Sequence, residues 1–226
     1  MGNQKSHRSG GKSSEVSVAR LSALLIVGIL LCGLSFLFDR TVIEWVKAHD
    51  SLAWKHFAGF LSRWGDWPEL MLFGCLGLGL AWLARSRVAG RVLLCMIIAS
   101  TISGAIVNSS RLLTGRARPN NMQAAHEWNG LWQGSEFLLF KNKYHSFPSG
   151  HTGAAFAFFG VPFFANRRYG WWAFFAAGAI AWSRIYLNVH HLSDVMAGAF
   201  VGLITAFLVW ERLEPRIDLF LERFPS

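Results

Sequence analysis

The sequence predicts an all-α integral membrane protein, a six-transmembrane-helix bundle with interfacial helices in the first outer loop. Of the 226 residues, 53% are hydrophobic and only 15% are charged, which excludes an ordinary soluble domain and a disordered chain. Several apolar runs approach the roughly 20 residues that a helix needs to cross a bilayer. The central part of each run carries no charge. These features disfavour the alternative of a large soluble core of buried helices.

The candidate spans follow one another along the chain, separated by polar connections. They cover residues 21–38, 67–84, 92–107, 152–165, 171–182 (extended to about 187) and 195–210. Residues 1–17 are rich in Ser, Gly and Lys, so we expect a disordered cytoplasmic tail before a retained signal-anchor. The predicted domain division is a tail over 1–17, a six-span domain over 18–212 and a cytoplasmic C-terminal tail over 213–226.

Aromatic residues recur at roughly helical spacing in the first outer loop, residues 41–66. Two interpretations fit this pattern. One is an interfacial helix that guides a lipid substrate, and the other is an aromatic belt at the level of the lipid headgroups. The composition favours the belt. The longer loop over residues 120–147 carries Trp128, Trp132 and Tyr144, and it is expected either to form a rim over a site or to act as a structural cover.

The net charge of +9 is distributed as the topology of a membrane protein requires, rather than as a nucleic-acid-binding surface. If the spans alternate, the basic groups of the connections all fall on one side, which predicts cytoplasmic termini. These residues are Lys5, Arg8, Lys12, Arg20, Arg85, Arg87, Arg91, Arg167, Arg168, Arg212 and Arg216. The three cysteines all lie within predicted spans, which favours apolar packing over disulfides or a metal site.

Three polar clusters interrupt the apolar pattern, and all three are expected on the opposite, outer side. They are RLLTGRARP at 111–119, PSGH at 148–151 and SRIYLNVHHLSD at 183–194. Ionisable residues at the edge of a membrane span are functional candidates. Arginine offers forked N–H donors that match phosphate oxygens, and histidine acts as a nucleophile or a proton donor near neutral pH. Together these side chains predict a site for a phosphate dianion.

Each cluster has a local interpretation as well. In the second cluster, Ser149 is a suitable N-cap for the apolar helix that follows, and Gly150 allows close approach to an anion at its N-terminus. In the third, His190 and Asp194 are four residues apart and share a helix face, so the carboxylate can orient the imidazole. A turn near Asn188 is expected to bring Arg184 back toward His190. The alternatives are a plain capped helix, an interfacial histidine and a solvated basic loop.

In order and spacing, the clusters resemble the three-part signature of the type 2 phosphatidic acid phosphatase superfamily, KxxxxxxRP, PSGH and SRxxxxxHxxxD. The match extends from Arg111 to Asp194 and departs at one position, where Arg111 replaces the family lysine. This keeps the positive charge but changes a point charge into a planar fork. The six-span layout is that of the family.

The resemblance implies a role for each matching residue. His190 would be the nucleophile that forms a phosphohistidine, Asp194 would orient it, and His151 would be the general acid and then the base. The phosphoryl oxygens would be held by Arg111, Arg118, Ser149, Gly150 and Arg184. Arg116 lies within the first cluster but is not one of its defining positions. No cofactor and no metal are expected, because no Asp/Glu/His cluster with ligand spacing is evident.

The expected function is a metal-independent phosphatase acting on a lipid phosphate or diphosphate at the outer face of a bacterial inner membrane. Undecaprenyl diphosphate is the leading substrate, and lipid A 1-phosphate, phosphatidylglycerophosphate and phosphatidate are the alternatives. A lipid phosphotransferase would share every catalytic residue. A non-enzymatic lipid transport protein is disfavoured by the intact histidines. The expected partners are the substrate lipid and the bilayer, without nucleic acid, and the sequence leaves the oligomeric state open.

Overall fold

Helices make up most of the chain, which confirms the predicted all-α class. The computed structural model describes residues 6–121 and 127–221. The helices are α1 (Ser6–Phe36), α2 (Asp39–Ala48), α3 (Leu52–Trp64), α4 (Trp67–Leu83), α5 (Arg87–Thr114), α6 (Gly150–Ala165), α7 (Arg167–Tyr186) and α8 (Leu192–Leu221). Between α5 and α6, β1 (Trp132–Gln133) and β2 (Glu136–Phe137) form a hairpin, followed by a 3₁₀ turn at Asn142–Tyr144.

Three helices of the described chain are long and apolar enough to cross a membrane. The spans are Val18–Phe36, Arg87–Thr114 and Leu192–Leu219. The predicted second span corresponds to α4, which is apolar but only 17 residues long. The predicted fourth and fifth spans correspond to α6, with 16 residues, and to α7, with 20 residues and three arginines. The existence of these helices is confirmed, while the count of six spans stays a prediction.

Both ends of the chain are helical further than the predicted spans. α1 begins at Ser6, so it includes much of the stretch for which the sequence predicts disorder. α8 continues through Pro215 to Leu221, beyond the predicted domain boundary at 212. The outermost residues of the predicted tails, 1–5 and 222–226, lie outside the described residues. The division into domains therefore stays a prediction.

The centre of the bundle is α6, which packs against α5, α7 and α8. Small side chains allow α6 and α8 to meet backbone to backbone. A Cβ atom on Gly198 would lie 2.6 Å from the carbonyl oxygen of Ser149, and one on Gly202 would lie 2.6 Å from that of Gly153. Such contacts between small residues are a common way for helices to pack within membranes. The buried residues of α6 include Ala154, Ala155, Phe156, Ala157, Phe158 and Val161.

Two buried hydroxyl groups join α5 to α6. Ser100 Oγ donates to the carbonyl oxygen of Ala154 at 3.1 Å, and Ser103 Oγ donates to that of Gly153 at 3.0 Å. Hydrogen bonds between helices add to packing in an apolar environment. The amino-terminal half of α6 is therefore held from α5 on one side and from α8 on the other.

Large apolar side chains cover the outer surface of the bundle. Ile29 of α1, Leu80 of α4 and Trp172 of α7 are 62%, 67% and 77% exposed. Exposed apolar surface on this scale marks contact with a membrane or a partner rather than with water. The three cysteines are free thiols, of which Cys95 is buried in the core.

Candidate active site

All three polar clusters lie at one end of the bundle, where α5 and α7 end and where α6 and α8 begin. His151, in the first turn of α6, is within electrostatic range of Arg184, His190, Arg118 and Arg111. Ser149 and Asp194 are joined directly, because the backbone N–H of Ser149 donates to the carbonyl oxygen of Asp194 at 2.9 Å. The structure thus brings together the residues that the sequence singled out.

The first cluster turns back on itself at Gly115. This residue has φ of 56°, and a Cβ atom there would lie 1.8 Å from the carbonyl oxygen of Gly130. Only glycine combines the left-handed conformation with so close an approach. The turn ends α5, so Arg111 lies on the last turn of the helix while Arg116 and Arg118 lie on the loop behind it.

The amino terminus of α6 differs in one respect from the prediction. Ser149 occupies the N-cap position, but its side chain makes no capping hydrogen bond. Ser149 Oγ instead accepts a hydrogen bond from Thr152 Oγ1 at 3.0 Å, in a fully buried position. Ser149 is therefore the N-cap residue by position, as the sequence predicted, but its hydroxyl does not cap the helix. Gly150 lies against the first cluster, since a Cβ atom there would be 3.2 Å from Arg111 Nη1.

The third cluster contains the predicted turn. Asn188 adopts φ of 54° just after α7 ends, and this reverses the chain toward His190. His190 lies in the short connection before α8, with Nδ1 3.5 Å from Asp194 Oδ2. The separation is longer than an ordinary hydrogen bond, so the contact is chiefly electrostatic. Such contacts often tighten only when a substrate is bound.

Burial sets the protonation of His190. The side chain is almost completely buried, and this desolvation lowers the pKa of His190 to about 4. Asp194 acts in the opposite direction, and the positive charges of Arg184 and Arg118 add to the lowering. The imidazole is therefore neutral at neutral pH, which is the form that can attack an electrophile.

Three arginines of the clusters present unused donors. Arg111, Arg118 and Arg184 each have a buried Nε–H without a hydrogen-bond partner among the described residues. Arg184 Nη1 donates to Ser62 Oγ of α3, which orients the guanidinium. Buried positive charge without a counter-ion is unfavourable. Three such guanidinium groups close to the imidazole of His151 therefore indicate a site for an anion.

Arg116 has buried partners that were not predicted from the sequence. Its residue is completely buried, and Nη1 donates to Asp194 Oδ1 at 2.5 Å and to Ser193 Oγ at 2.6 Å. Nη2 donates to Asp39 Oδ2 at 2.7 Å, and Nε donates to Glu127 Oε1 at 2.9 Å. The guanidinium also lies 4.6 Å from the ring centre of Trp128, so the 120–147 loop covers this side chain.

Asp194 is held by several donors at once. Oδ1 accepts from Arg116, while Oδ2 accepts from Ser146 Oγ at 2.5 Å and from the backbone N–H of His191 at 2.8 Å. Ser146 belongs to the 120–147 loop, in which no individual residue was predicted to have a role. The carboxylate beside His190 is consequently fixed in both position and charge.

One group of potential metal ligands is present among the described residues. Ligand atoms of Asp39, Glu127 and His191 lie within 4.8 Å of one another. Arg116 donates to both of these carboxylates and so supplies positive charge between them. His191 Nε2 lies 3.1 Å from the carbonyl oxygen of Ala117. Asp39 and Glu127 are therefore partners of Arg116 in an ion-pair network.

The first outer loop also reaches the site. Asp66 Oδ2 lies 3.5 Å from Nε2 of His151, while Asp66 Oδ1 accepts from the N–H of Trp67 and caps α4. Together with Asp39, just before this loop, Ser62 and Asp66 give polar contacts to all three clusters: Asp39 with Arg116 and Ser193, Ser62 with Arg184, and Asp66 with His151. The sequence interpretation favoured an aromatic belt here and missed these three residues.

Several known proteins are similar to this chain in sequence. A 30%-identical relative is the lipid A 1-phosphatase of Rhizobium johnstonii, matched over 68% of this chain and 67% of that protein. The undecaprenyl-diphosphatase BcrC of Bacillus subtilis is 35% identical over 33% of this chain and 40% of its own length. Other curated relatives, like BcrC of Bacillus subtilis, are matched over less than two thirds of their own length, 65% in one and 26% in another.

The fold is similar to a solved structure as well. A transmembrane PAP2 type phosphatidylglycerolphosphate phosphatase from Bacillus subtilis superposes with a TM-score of 0.61 at 19% identity, covering 91% of this chain and 98% of that one. The sequence profile of the PAP2 superfamily matches residues 89–218, a range that contains all three clusters. With the clusters brought together around His190, this multi-pass membrane protein belongs to the PAP2 superfamily.

Proposed function

We propose that this protein is a metal-independent membrane phosphatase that hydrolyses a lipid phosphate or diphosphate through a phosphohistidine intermediate. The observation that carries the proposal is the set of three buried Nε–H groups of Arg111, Arg118 and Arg184, unpartnered among the described residues, that lie with His190 around His151. A phosphoryl dianion satisfies these donors and balances their charge. Phosphoryl transfer depends mainly on positioning and charge stabilisation, and fixed guanidinium groups supply both.

In the first step, the arginines hold the phosphoryl oxygens at the amino terminus of α6, beside Ser149 and Gly150. The free ring nitrogen of His190 attacks phosphorus, so a P–N bond forms while the P–O bond to the lipid breaks. His151 donates its proton to the leaving oxygen. Asp194 stabilises the positive charge that develops on the phosphorylated imidazole.

In the second step, His151 accepts a proton from water as the water oxygen attacks phosphorus. The P–N bond breaks, inorganic phosphate leaves, and His190 returns to its neutral form. Each proton that His151 donates in the first step is recovered in the second. No step requires a metal ion or a redox partner.

A polyprenyl diphosphate, undecaprenyl diphosphate in bacteria, is the leading substrate. The similarity to BcrC of Bacillus subtilis supports it. Lipid A 1-phosphate is supported by the relative from Rhizobium johnstonii, and phosphatidylglycerophosphate by the similar fold. Phosphatidate completes the set. The exposed apolar faces of α1, α4 and α7 suit a lipid tail that approaches from the bilayer.

The proposed arrangement is a six-span domain over residues 18–212 in the bacterial inner membrane. The three helices with sufficient length and hydropathy would be joined by α4, α6 and α7, whose polar ends complete their spans. Positive charge at the end away from His190 supports cytoplasmic termini and a periplasmic site. α2 and α3 would lie in the outer interface, where the exposed Trp45 and Trp54 are favourable.

The test is phosphate release by purified protein in detergent from a panel of these lipids, with and without EDTA. We expect release from at least one lipid at the same rate in EDTA, and no release by His190→Ala. Activity that is lost in EDTA and restored by a divalent cation would contradict the mechanism. Recovery of labelled phosphate in a second lipid rather than in solution would identify a phosphotransferase. A folded protein that releases nothing from any lipid would contradict the proposal as a whole.

A further inference from the structure

Asp39, the first residue of α2, lies outside all three clusters and outside the residues that match the superfamily profile. Its residue is nevertheless only 8% exposed, and its carboxylate faces the amino terminus of α8. Oδ1 accepts from the backbone N–H of Ser193 at 2.8 Å. Oδ2 accepts from Ser193 Oγ at 2.5 Å and from Arg116 Nη2 at 2.7 Å. Both oxygens are therefore engaged next to Asp194.

These hydrogen bonds fix the position of Asp194 from two directions. Ser193 directly precedes Asp194, so the backbone bond holds the first turn of α8 against α2, 154 residues earlier in the chain. A carboxylate is the side chain that the N-terminal N–H groups of a helix favour. Arg116 reaches Asp194 from the other side and is itself held by Asp39.

The charges in this network matter as much as the positions. A carboxylate that is bonded to an unshared cation loses basicity and would support a positive imidazole less well. Here Asp39 and Glu127 bind the same guanidinium that binds Asp194. Three carboxylates therefore share one buried cation. The network therefore carries excess negative charge next to His190.

We propose that Asp39 is a positioning residue for the phosphoryl-transfer step, and that it acts by holding Arg116 and Ser193 so that Asp194 remains aligned with His190 and basic enough to support a positive imidazole. Asp39 has no contact with the proposed phosphate-binding side chains. Its contribution should therefore appear in the chemical step and not in the binding of the phosphate. The inference rests on the proposed function, because it gives His190 the role of nucleophile.

The primary variant is Asp39→Asn. Asparagine keeps the size and the acceptor for the N–H of Ser193, but it removes the negative charge and turns an amide donor toward Arg116. We expect kcat for the best lipid substrate to fall by about tenfold or more, because a hydrogen bond to a charged group is lost. KM should stay within about twofold, since interactions made equally in ground and transition states are untouched. The control is Asp50→Asn, which removes a carboxylate that pairs only with the exposed Lys55 beyond the other end of α2.

A second comparison separates positioning from general destabilisation. If Asp39 acts through Arg116, then Asp39→Asn should have little further effect on kcat in an Arg116→Gln background. Ser193→Ala provides an independent variant that keeps all four charges and removes only the hydroxyl contacts with Asp39 and Arg116. It should lower kcat by a smaller factor, with unchanged KM. The melting temperature of each variant in detergent reports whether the fold is retained.

The outcomes distinguish this inference from the proposed function. If the unsubstituted protein releases phosphate while Asp39→Asn and Ser193→Ala both keep its kcat, the positioning role is refuted and the phosphatase remains. An equal fall in kcat for Asp39→Asn with and without Arg116→Gln also refutes the coupling. If the unsubstituted protein releases no phosphate, the proposed function fails first.

Discussion

The carboxylate of Asp66 lies 3.5 Å from Nε2 of His151, at the amino end of α4. Its charge also acts on Arg111 and on Arg184. The side chain is 44% exposed, so this negative charge lies where the site opens to solvent. A phosphate group that approaches the arginines must therefore pass close to a carboxylate that also contacts His151.

Replacing Asp66 by asparagine should lower both KM and kcat. Asparagine retains the cap on α4, but it no longer repels the incoming phosphate, so KM should fall. It also removes the charged partner that holds His151 in place, so kcat should fall as well. Steady-state kinetics on the best lipid would detect both changes, with Glu44→Gln as a control at an exposed pair with Arg40. Unchanged kcat and KM would contradict this role.

The two histidines should be separable by their substrates. His190→Ala removes the nucleophile, so it should release no phosphate from any ester. His151→Ala removes only the proton donor, and it should keep more of its activity toward p-nitrophenyl phosphate, whose leaving group needs no proton, than toward a lipid. Phosphate release on both substrates is the measurement. Equal losses on the two substrates in His151→Ala would argue against a general acid at this position.

Asp194→Asn should be among the most damaging conservative substitutions. It removes the charge that supports the imidazole, and it also leaves Arg116 with one carboxylate fewer in a buried position. We expect kcat to fall on the order of 100-fold or more. The melting temperature should fall too. A stable variant with nearly normal kcat would show that His190 does not depend on this carboxylate.

Arg111 tests the one departure from the family signature. Arg111→Lys restores the family residue and the charge, so we expect activity to change modestly. Arg111→Ala should raise KM by about tenfold or more, because a charged hydrogen-bond donor is lost from the phosphate site. Arg40→Ala is the matched control, since its side chain is 91% exposed. A KM for Arg111→Ala equal to that of the control would remove Arg111 from the binding site.

Protonation of His190 predicts a pH dependence of stability. Because the pKa of His190 is lowered to about 4 in the folded state, the unfolded chain binds this proton more readily between about pH 4 and 6.5. The stability that His190 contributes is complete above that range and is lost as the pH falls through it. The melting temperature should therefore decline less steeply over this window in His190→Gln than in the unsubstituted protein. Parallel curves would indicate that His190 titrates normally.

Local patterns in the sequence predicted the helices and the arrangement of the clusters well. The second predicted span, 67–84, differs from α4 by one residue, because Asp66 and Pro68 define its start and a run of apolar residues defines its length. The turn at Asn188 was predicted because few residues separate Arg184, at the end of one helix, from His190, near the start of the next. Ser149 was predicted in the correct position, but its hydroxyl contacts Thr152 because it is buried.

The residues that sequence reasoning missed have partners far away in the chain. Arg116 lies 78 positions before Asp194, and Asp39 lies 154 positions before Ser193, so no spacing rule connects them. Two signals were available. Arg116 is a further arginine close to the end of a predicted span, and Asp39 is an acidic residue just after the first predicted span. Neither signal identifies its partner without the fold.

The backbone contact of α6 with α8 has a further consequence for how the protein completes a cycle. Since Gly198 and Gly202 leave no gap against Ser149 and Gly153, α6, which carries His151, and α8, which closely follows His190, pack as one unit. If the proposed phosphatase moves during its cycle, we therefore expect the movement in the surrounding segments, such as α3 with Ser62 and the adjoining Asp66, while His151 and His190 keep their relative position.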